Sequence, residues 1–218
     1  MTLTVHSGQS TDKRTGKRIG VFGGAFDPPH AAHLALARLA VAQLQLDALK
    51  IFPTGHAWHK SRTLTAPEHR LAMAQLAFAD LAQAQVDASE LLRAGPTYTI
   101  DTLTQLQAEN PGCQLFLIIG ADQAMALSNW HRFEDILRIA IICVAGRATT
   151  ARTAGSIDAD SQVPPGLARS RFESLHLPPM AVSATDIRHR VATDQDIHGL
   201  VSEPIARYIA HHHLYHST

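Results

Sequence analysis

Residues 18–34, RIGVFGGAFDPPHAAHL, constrain the fold more than any other stretch of the chain. Ile19, Val21 and Phe22 form a short apolar run that reads as a buried strand. Gly23-Gly24 ends it, a turn spans Ala25 to Pro29, and an alanine- and leucine-rich helix follows. A strand that breaks into glycines and re-enters as a helix is how a doubly wound sheet presents a phosphate site. The glycines are expected to allow positive φ and to let a ligand approach bare backbone. The helix is expected to aim free N–H groups and the positive end of its dipole outward. His30 and His33 lie three apart at its start, so they share a face, and both can donate to phosphate oxygens. The stretch is not a Walker loop, which ends in Gly-Lys-Ser/Thr, and not GxGxxG. Two histidines so spaced would, alone, read as surface residues or half a metal site; the preceding strand and glycines favour catalysis.

GGAFDPPHAAH resembles the GG-x-FDP-x-H-x-GH signature of the HxGH nucleotidyltransferases, and within them the bacterial nicotinate-nucleotide adenylyltransferases. Ala32 stands where that family usually has the glycine that lets adenine lie against the helix. The resemblance implies an α/β fold, Rossmann-like and doubly wound, with a mostly parallel sheet in a single domain over 18–218. It also implies the reaction of ATP with nicotinate mononucleotide, giving nicotinate adenine dinucleotide and pyrophosphate. Magnesium carried by ATP (Mg2+) is the expected metal, with no dedicated protein cage.

Composition agrees with that class. A chain of 218 residues, 45% hydrophobic, suffices for one α/β domain with an ample core. The formal net charge of zero leaves any anion site local and, with no basic patch or RNA-reading motif, disfavours a nucleic-acid partner. No run approaches the ~20 apolar residues of a membrane span, and a polar N-terminus predicts no secretory signal. Cys113 and Cys143 sit in or beside predicted strands and read as buried free thiols of a cytoplasmic protein. His211-His212-His213 is placed on a final helix, where metal binding is disfavoured.

Along the chain, residues 1–17 read as a flexible polar extension. The first helix, His30 to Leu46, carries Leu34, Ala37, Val41 and Leu44 at helical spacing, and Leu49 to Pro53 is a strand. The loop Thr54 to Lys60 resembles the family's PPHK-like segment, with Ala57-Trp58 replacing the prolines. The resemblance implies that Lys60 meets the mononucleotide phosphate; the plain alternative is a solvated lysine. Thr65 to Glu68 is expected to form a capping box opening a helix with Leu71, Met73, Leu76 and Phe78 inward. Val86 to Leu92 reads as a strand.

Pro96 to Leu103 resembles the (S/T)YT-x-DTL segment, implying that Thr97 or Tyr98 walls the pyridine nucleotide pocket while hydroxyls cap the helix. Leu115 to Ile119 is the most apolar strand and is expected at the centre of the sheet. GADQAMALSNWHRFEDILR, residues 120–138, resembles the family's G-x-D, L-x-x-W and Ile-Leu helix. Asp122 then lies at a strand's carboxyl end, suited to a ribose hydroxyl or to magnesium, and Trp130 offers a face for pyridine stacking. Ile139 to Ala145 is the next strand, with Arg147 after it as a weaker phosphate or substrate contact. Residues 148–170 read as a mobile loop, and Leu175 to Leu177 as a last strand. Val182 to Arg188 resembles (I/V)SAT-x-IR, placing the Ser183 hydroxyl and the Arg188 guanidinium together for a triphosphate tail. The closing helix resembles LVPxPVxxYI.

The implied site therefore has His30 and His33 as catalytic residues. ATP falls to Gly23, Gly24, Phe26, His33, Asp122, Ser183 and Arg188, and nicotinate mononucleotide to Lys60, Thr97, Tyr98, Trp130 and Arg147. The alternatives are a related transferase using nicotinamide mononucleotide or phosphopantetheine, and a nucleotide sensor without turnover. Oligomeric state stays open.

Overall fold

The computed structural model describes residues 16–55, 63–147 and 171–216. The expected N-terminal extension as far as residue 15, the segment with Ala57, Trp58 and Lys60, and the expected loop over 148–170 lie outside the described residues. Six described strands form one sheet: β1 (Arg18–Gly24), β2 (Ala48–Pro53), β3 (Ala84–Val86), β4 (Gln114–Gly120), β5 (Ala140–Arg147) and β6 (Phe172–Leu177). Their order is β3-β2-β1-β4-β5-β6, and every pairing is parallel, so the expected mostly parallel sheet is parallel throughout these strands. This is the Rossmann order, and it reverses direction between β1 and β4.

Alternation along the central strands feeds two cores. Ile19, Val21, Leu115, Leu117 and Ile119 face one side, under helices α4 (Thr99–Glu109) and α6 (Phe133–Ile139). Phe22, Phe116 and Ile118 face the other, under α1 (Ala31–Gln43). A strand buried on both faces needs this near-continuous apolar run, as the β4 sequence predicts. A third cluster joins Met73 of α2 (Pro67–Phe78) to Ile187 and Val191 of α7 (Ala184–Ala192) and Ile205 and Ile209 of α8 (Glu203–His211). It packs α7 against α2 and α8. No described helix is long and apolar enough to cross a membrane.

Several local expectations are corrected. Val86 to Leu92 is not a strand: β3 stops at Val86, and a short helix α3 covers Ser89–Leu92. Asp87 Oδ1 accepts the Ser89 N–H at 2.8 Å, a turn that ends the strand, and Leu92 is 82% exposed, so its apolar run never entered the core. The α2 start has Ala66, not Thr65, at the cap position, with Pro67 in its first turn. Its buried face is Arg70, Met73, Ala74 and Phe78, leaving Leu76 exposed. On α1 the buried residues are Leu36, Ala37 and Ala40, with Leu34 and Val41 half-buried. The hydroxyl cap expected at the α4 start does not form; Tyr98 holds that position without a side-chain bond. The last described helix ends at His211, so His213 lies beyond it, with φ +49. Cys143 is buried and Cys113 only half-buried, and both are free thiols.

Gly55, leaving β2, is fixed by close approach: a β-carbon there would stand 2.0 Å from the Glu90 carbonyl oxygen and 2.9 Å from Thr97 Oγ1. That contact ties the exit of β2 to α3 and to the segment before α4.

Candidate active site

At the carboxyl ends of β1 and β4, where the strand order reverses, lies a cavity of about 370 Å³. Ligands in open α/β sheets gather at this switch point. Its walls are Phe22 to Asp27 from β1 and its turn, His30, His33 and Leu36 from α1, Gly120 and Gln123 after β4, and Ala184, Thr185 and Arg188 from α7.

The turn is built differently from the glycine-driven expectation. Phe26, not Gly23 or Gly24, takes the positive φ, at 46°. Its ring is buried, edge-on to Phe22 at 5.6 Å, and a β-carbon on Gly24 would press to 3.0 Å from it. Gly24 thus makes room for the aromatic anchor that inverts the chain. At Gly23 the nearest protein atom to a β-carbon would be Phe52 O at 4.0 Å, so no protein contact excludes a side chain there.

The α1 start also differs. Ala31 N donates to Leu200 O at 2.8 Å and His30 N to His33 Nδ1 at 3.2 Å, so these N–H groups are engaged within the protein. The groups that line the cavity at the start of α1 are instead the imidazoles. His30 and His33 stack with ring centroids 3.8 Å apart. Because His33 Nδ1 accepts a backbone N–H, its proton resides on Nε2, which becomes the donor. His30 Nδ1 is buried and finds no partner among the described residues. Burial pushes the His30 imidazole down to about 4 from 6.5.

That depression makes a testable statement about the ligand-free protein. Between about 6.5 and 4 the unfolded chain takes up a proton at His30 that the folded chain refuses, so stability falls as pH falls through this window. One such group supplies a slope of at most about 1.4 kcal/mol per pH unit. His30→Gln removes that share of the slope in urea unfolding across the same range; a variant slope equal to wild type contradicts the burial.

Around the cavity three long-range anchors hold the turn. Arg70, 3% exposed, donates from Nη1 to Ala25 O at 3.1 Å and Thr54 O at 2.7 Å, and from Nε to Thr65 O at 2.9 Å. Arg188 donates to Asp27 O at 2.8 Å and to Thr185 Oγ1 at 3.1 Å. The Asp27 carboxylate, 1% exposed, accepts Thr65 N at 3.2 Å and the Tyr215 hydroxyl at 2.8 Å. Arg70, Asp27 and Tyr215 escaped the sequence reading, although a buried FDP aspartate and an arginine on an apolar helix face were both visible as charges in need of partners.

Comparison with known proteins follows this geometry. Residues 21–190 match the family described as Cytidylyltransferase-like. A protein of Albidiferax ferrireducens named "Probable nicotinate-nucleotide adenylyltransferase" is 55% identical, covering 91% of this chain and 98% of its own. One of Methylibium petroleiphilum with the same name is 40% identical, covering 91% and 92%. The chain belongs to the nicotinate-nucleotide adenylyltransferase family. The solved structure of the Plasmodium falciparum nicotinic acid mononucleotide adenylyltransferase complexed with NaAD shares the fold, with a TM-score of 0.71 at 16% identity over 91% of this chain and 97% of that one.

Within this adenylyltransferase fold the remaining candidates separate. Ser183 spends its hydroxyl accepting Asp186 N at 3.1 Å, capping α7, and does not line the cavity; its neighbour Thr185 does. Asp122 is exposed in the first turn of α5 (Ala121–Met125), beside the lining residues Gly120 and Gln123 but outside the lining itself. Thr97, Tyr98 and Trp130 do not line the cavity. Tyr98 and Trp130 pack half-buried on the second core, and Tyr98 lies against His131 with centroids 4.2 Å apart. Thr97 Oγ1 donates to Glu90 O at 3.5 Å. Arg147 ends β5, paired with Leu177. Ala32 is half-buried and does not line the cavity.

Proposed function

We propose that this chain transfers the adenylyl group of ATP to nicotinate mononucleotide, releasing pyrophosphate, with the switch-point cavity as the seat of the transfer. The observation that carries the reading is the stacked His30–His33 pair, with an orphaned buried nitrogen, in a cavity of a chain 55% identical to a relative bearing that name. A 5′-phosphate oxygen of the mononucleotide attacks the α-phosphorus, its bond forms as the bond to the bridging β-phosphate oxygen breaks, and pyrophosphate leaves with both electrons. Such chemistry leans on positioning and on donors placed where charge develops.

His33 donates from Nε2 to phosphate oxygens. His30, neutral when the cavity is empty, gains proton affinity as the anionic ligand enters and supplies a second donor. Gly23 leaves bare backbone toward the phosphates, and Gly24 with the backbone of Phe26 frames them. Arg188, with Thr185 beside it, meets the triphosphate tail, and the Ser183 cap fixes that turn of α7. Asp122 is assigned to the ribose. Trp130 and Tyr98 face the pyridine ring, Thr97 borders it, and Lys60 and Arg147 are assigned to the mononucleotide phosphate.

No cluster of three His, Cys, Asp or Glu side chains among the described residues could hold a metal ion. Magnesium is read as entering with ATP, as part of the MgATP substrate.

The test is pyrophosphate release from MgATP with nicotinate mononucleotide, nicotinamide mononucleotide and phosphopantetheine side by side. The nicotinate form should be preferred. Release with another acceptor alone overturns the substrate, and none with any acceptor, while ATP still binds, leaves a sensor.

A further inference from the structure

We propose that Tyr215 is a positioning residue for the transfer. Its hydroxyl holds the buried Asp27 carboxylate and thereby fixes the turn that presents bare backbone and His30 to the reacting phosphates. This rests on the adenylyl-transfer reading of the cavity.

The contact spans 188 positions of sequence, Tyr215 Oη to Asp27 Oδ1, at 2.8 Å. It joins the chain beyond α8 to the middle of the β1–α1 turn. Neither end is placed for packing alone. Asp27 is 1% exposed, and a carboxylate so buried requires donors. Tyr215 reaches it with φ +68, a backbone state unusual for an aromatic residue, directly after Leu214, which anchors in the third cluster. Burial, chiefly, and the Asp27 charge push the Tyr215 phenol upward, so it stays a proton donor through the working pH range.

The same turn is gripped from the α7 side by Arg188 on Asp27 O. The third cluster supports both grips, since it carries Ile187 of α7 and the residues before Tyr215. The C-terminal strap therefore sets the spacing between the tail-binding arginine and the histidine-bearing helix. Loss of one hydroxyl leaves a buried carboxylate short of a donor and lets the turn shift; misplacement of that kind slows transfer far more than it weakens remote binding.

Tyr215→Phe removes only the hydroxyl. Assayed below its melting temperature, it should lose kcat on the order of 10- to 100-fold, with KM for nicotinate mononucleotide unchanged, because Tyr98 and Trp130 pack on the second core and the strap on the third. Leu46→Ala is the control: it weakens the first core just before β2, outside the cluster that holds the strap, keeps the hydroxyl, and its folded fraction should turn over as wild type does. Activity lost by both variants in proportion to stability, or unchanged kcat in Tyr215→Phe, overturns the proposal. A measurement on the intact wild-type chain stands apart from variant folding. A non-hydrolysable ATP analogue should slow amide exchange in the peptide from Leu214 to His216, and unchanged exchange there contradicts the coupling. Wild-type pyrophosphate release is run alongside. Its absence would strike the reading of the cavity, whereas normal wild-type turnover with an unimpaired Tyr215→Phe strikes the strap alone.

Discussion

His33→Ala lowers kcat at least ~100-fold, the usual scale for losing one preorganised donor at a developing charge. The loss exceeds that of a surface histidine because the imidazole serves two partners at once. Its Nδ1 accepts the His30 N–H, fixing the tautomer, and its ring stacks on His30 at 3.8 Å. Removing it deletes the Nε2 donor and also frees the neighbouring imidazole to rotate. KM for ATP should change much less than kcat, since Arg188 and the backbone of the turn remain. His33→Asn keeps a short donor and should recover part of the rate. Steady-state pyrophosphate release measures both variants; near-wild-type turnover in His33→Ala removes this residue from the mechanism.

Arg70→Leu is the largest expected effect on stability. Three backbone carbonyls, of Ala25, Thr54 and Thr65, lose a charged donor in a place with almost no water access. At about 1–3 kcal/mol for each buried group left unsatisfied, partly relaxed by local movement, a total of about 3–5 kcal/mol follows. For a chain of this size that is a fall in Tm of roughly 10 °C. The three carbonyls belong to the exits of β1 and β2 and the entry to α2, so activity falls with stability. Thermal unfolding checks the figure, and a Tm within about 2 °C of wild type would show the three bonds to be dispensable.

What the linear chain disclosed, and what it hid, follows from the range of the interactions. The β1–turn–α1 stretch was legible because strand, glycines and helix are consecutive and each carries its own local signal. The central place of Leu115 to Ile119 was legible because burial on both faces demands an unbroken apolar run. The Ser183 cap was equally readable, being a bond across three residues. By contrast, nothing near Asp27 in sequence announces Tyr215, and nothing near Arg70 announces Ala25, 45 positions away. Phe26 taking the left-handed conformation beside two glycines inverts the usual preference, and only its buried ring explains it. The three-residue β3 was lost against Leu91-Leu92, whose apolar character serves no core.

The proposed transfer is direct, with no adenylylated protein group along the way. Its sharpest alternative is attack by His30, a neutral imidazole in the cavity wall. ATP made chiral at the α-phosphorus with oxygen isotopes separates the two when reacted with nicotinate mononucleotide and the dinucleotide product is read by phosphorus NMR. A single in-line displacement predicts nicotinate adenine dinucleotide with inverted configuration at that phosphorus. Retained configuration would mean two displacements through a covalent histidine, and no dinucleotide at all would contradict the transfer itself.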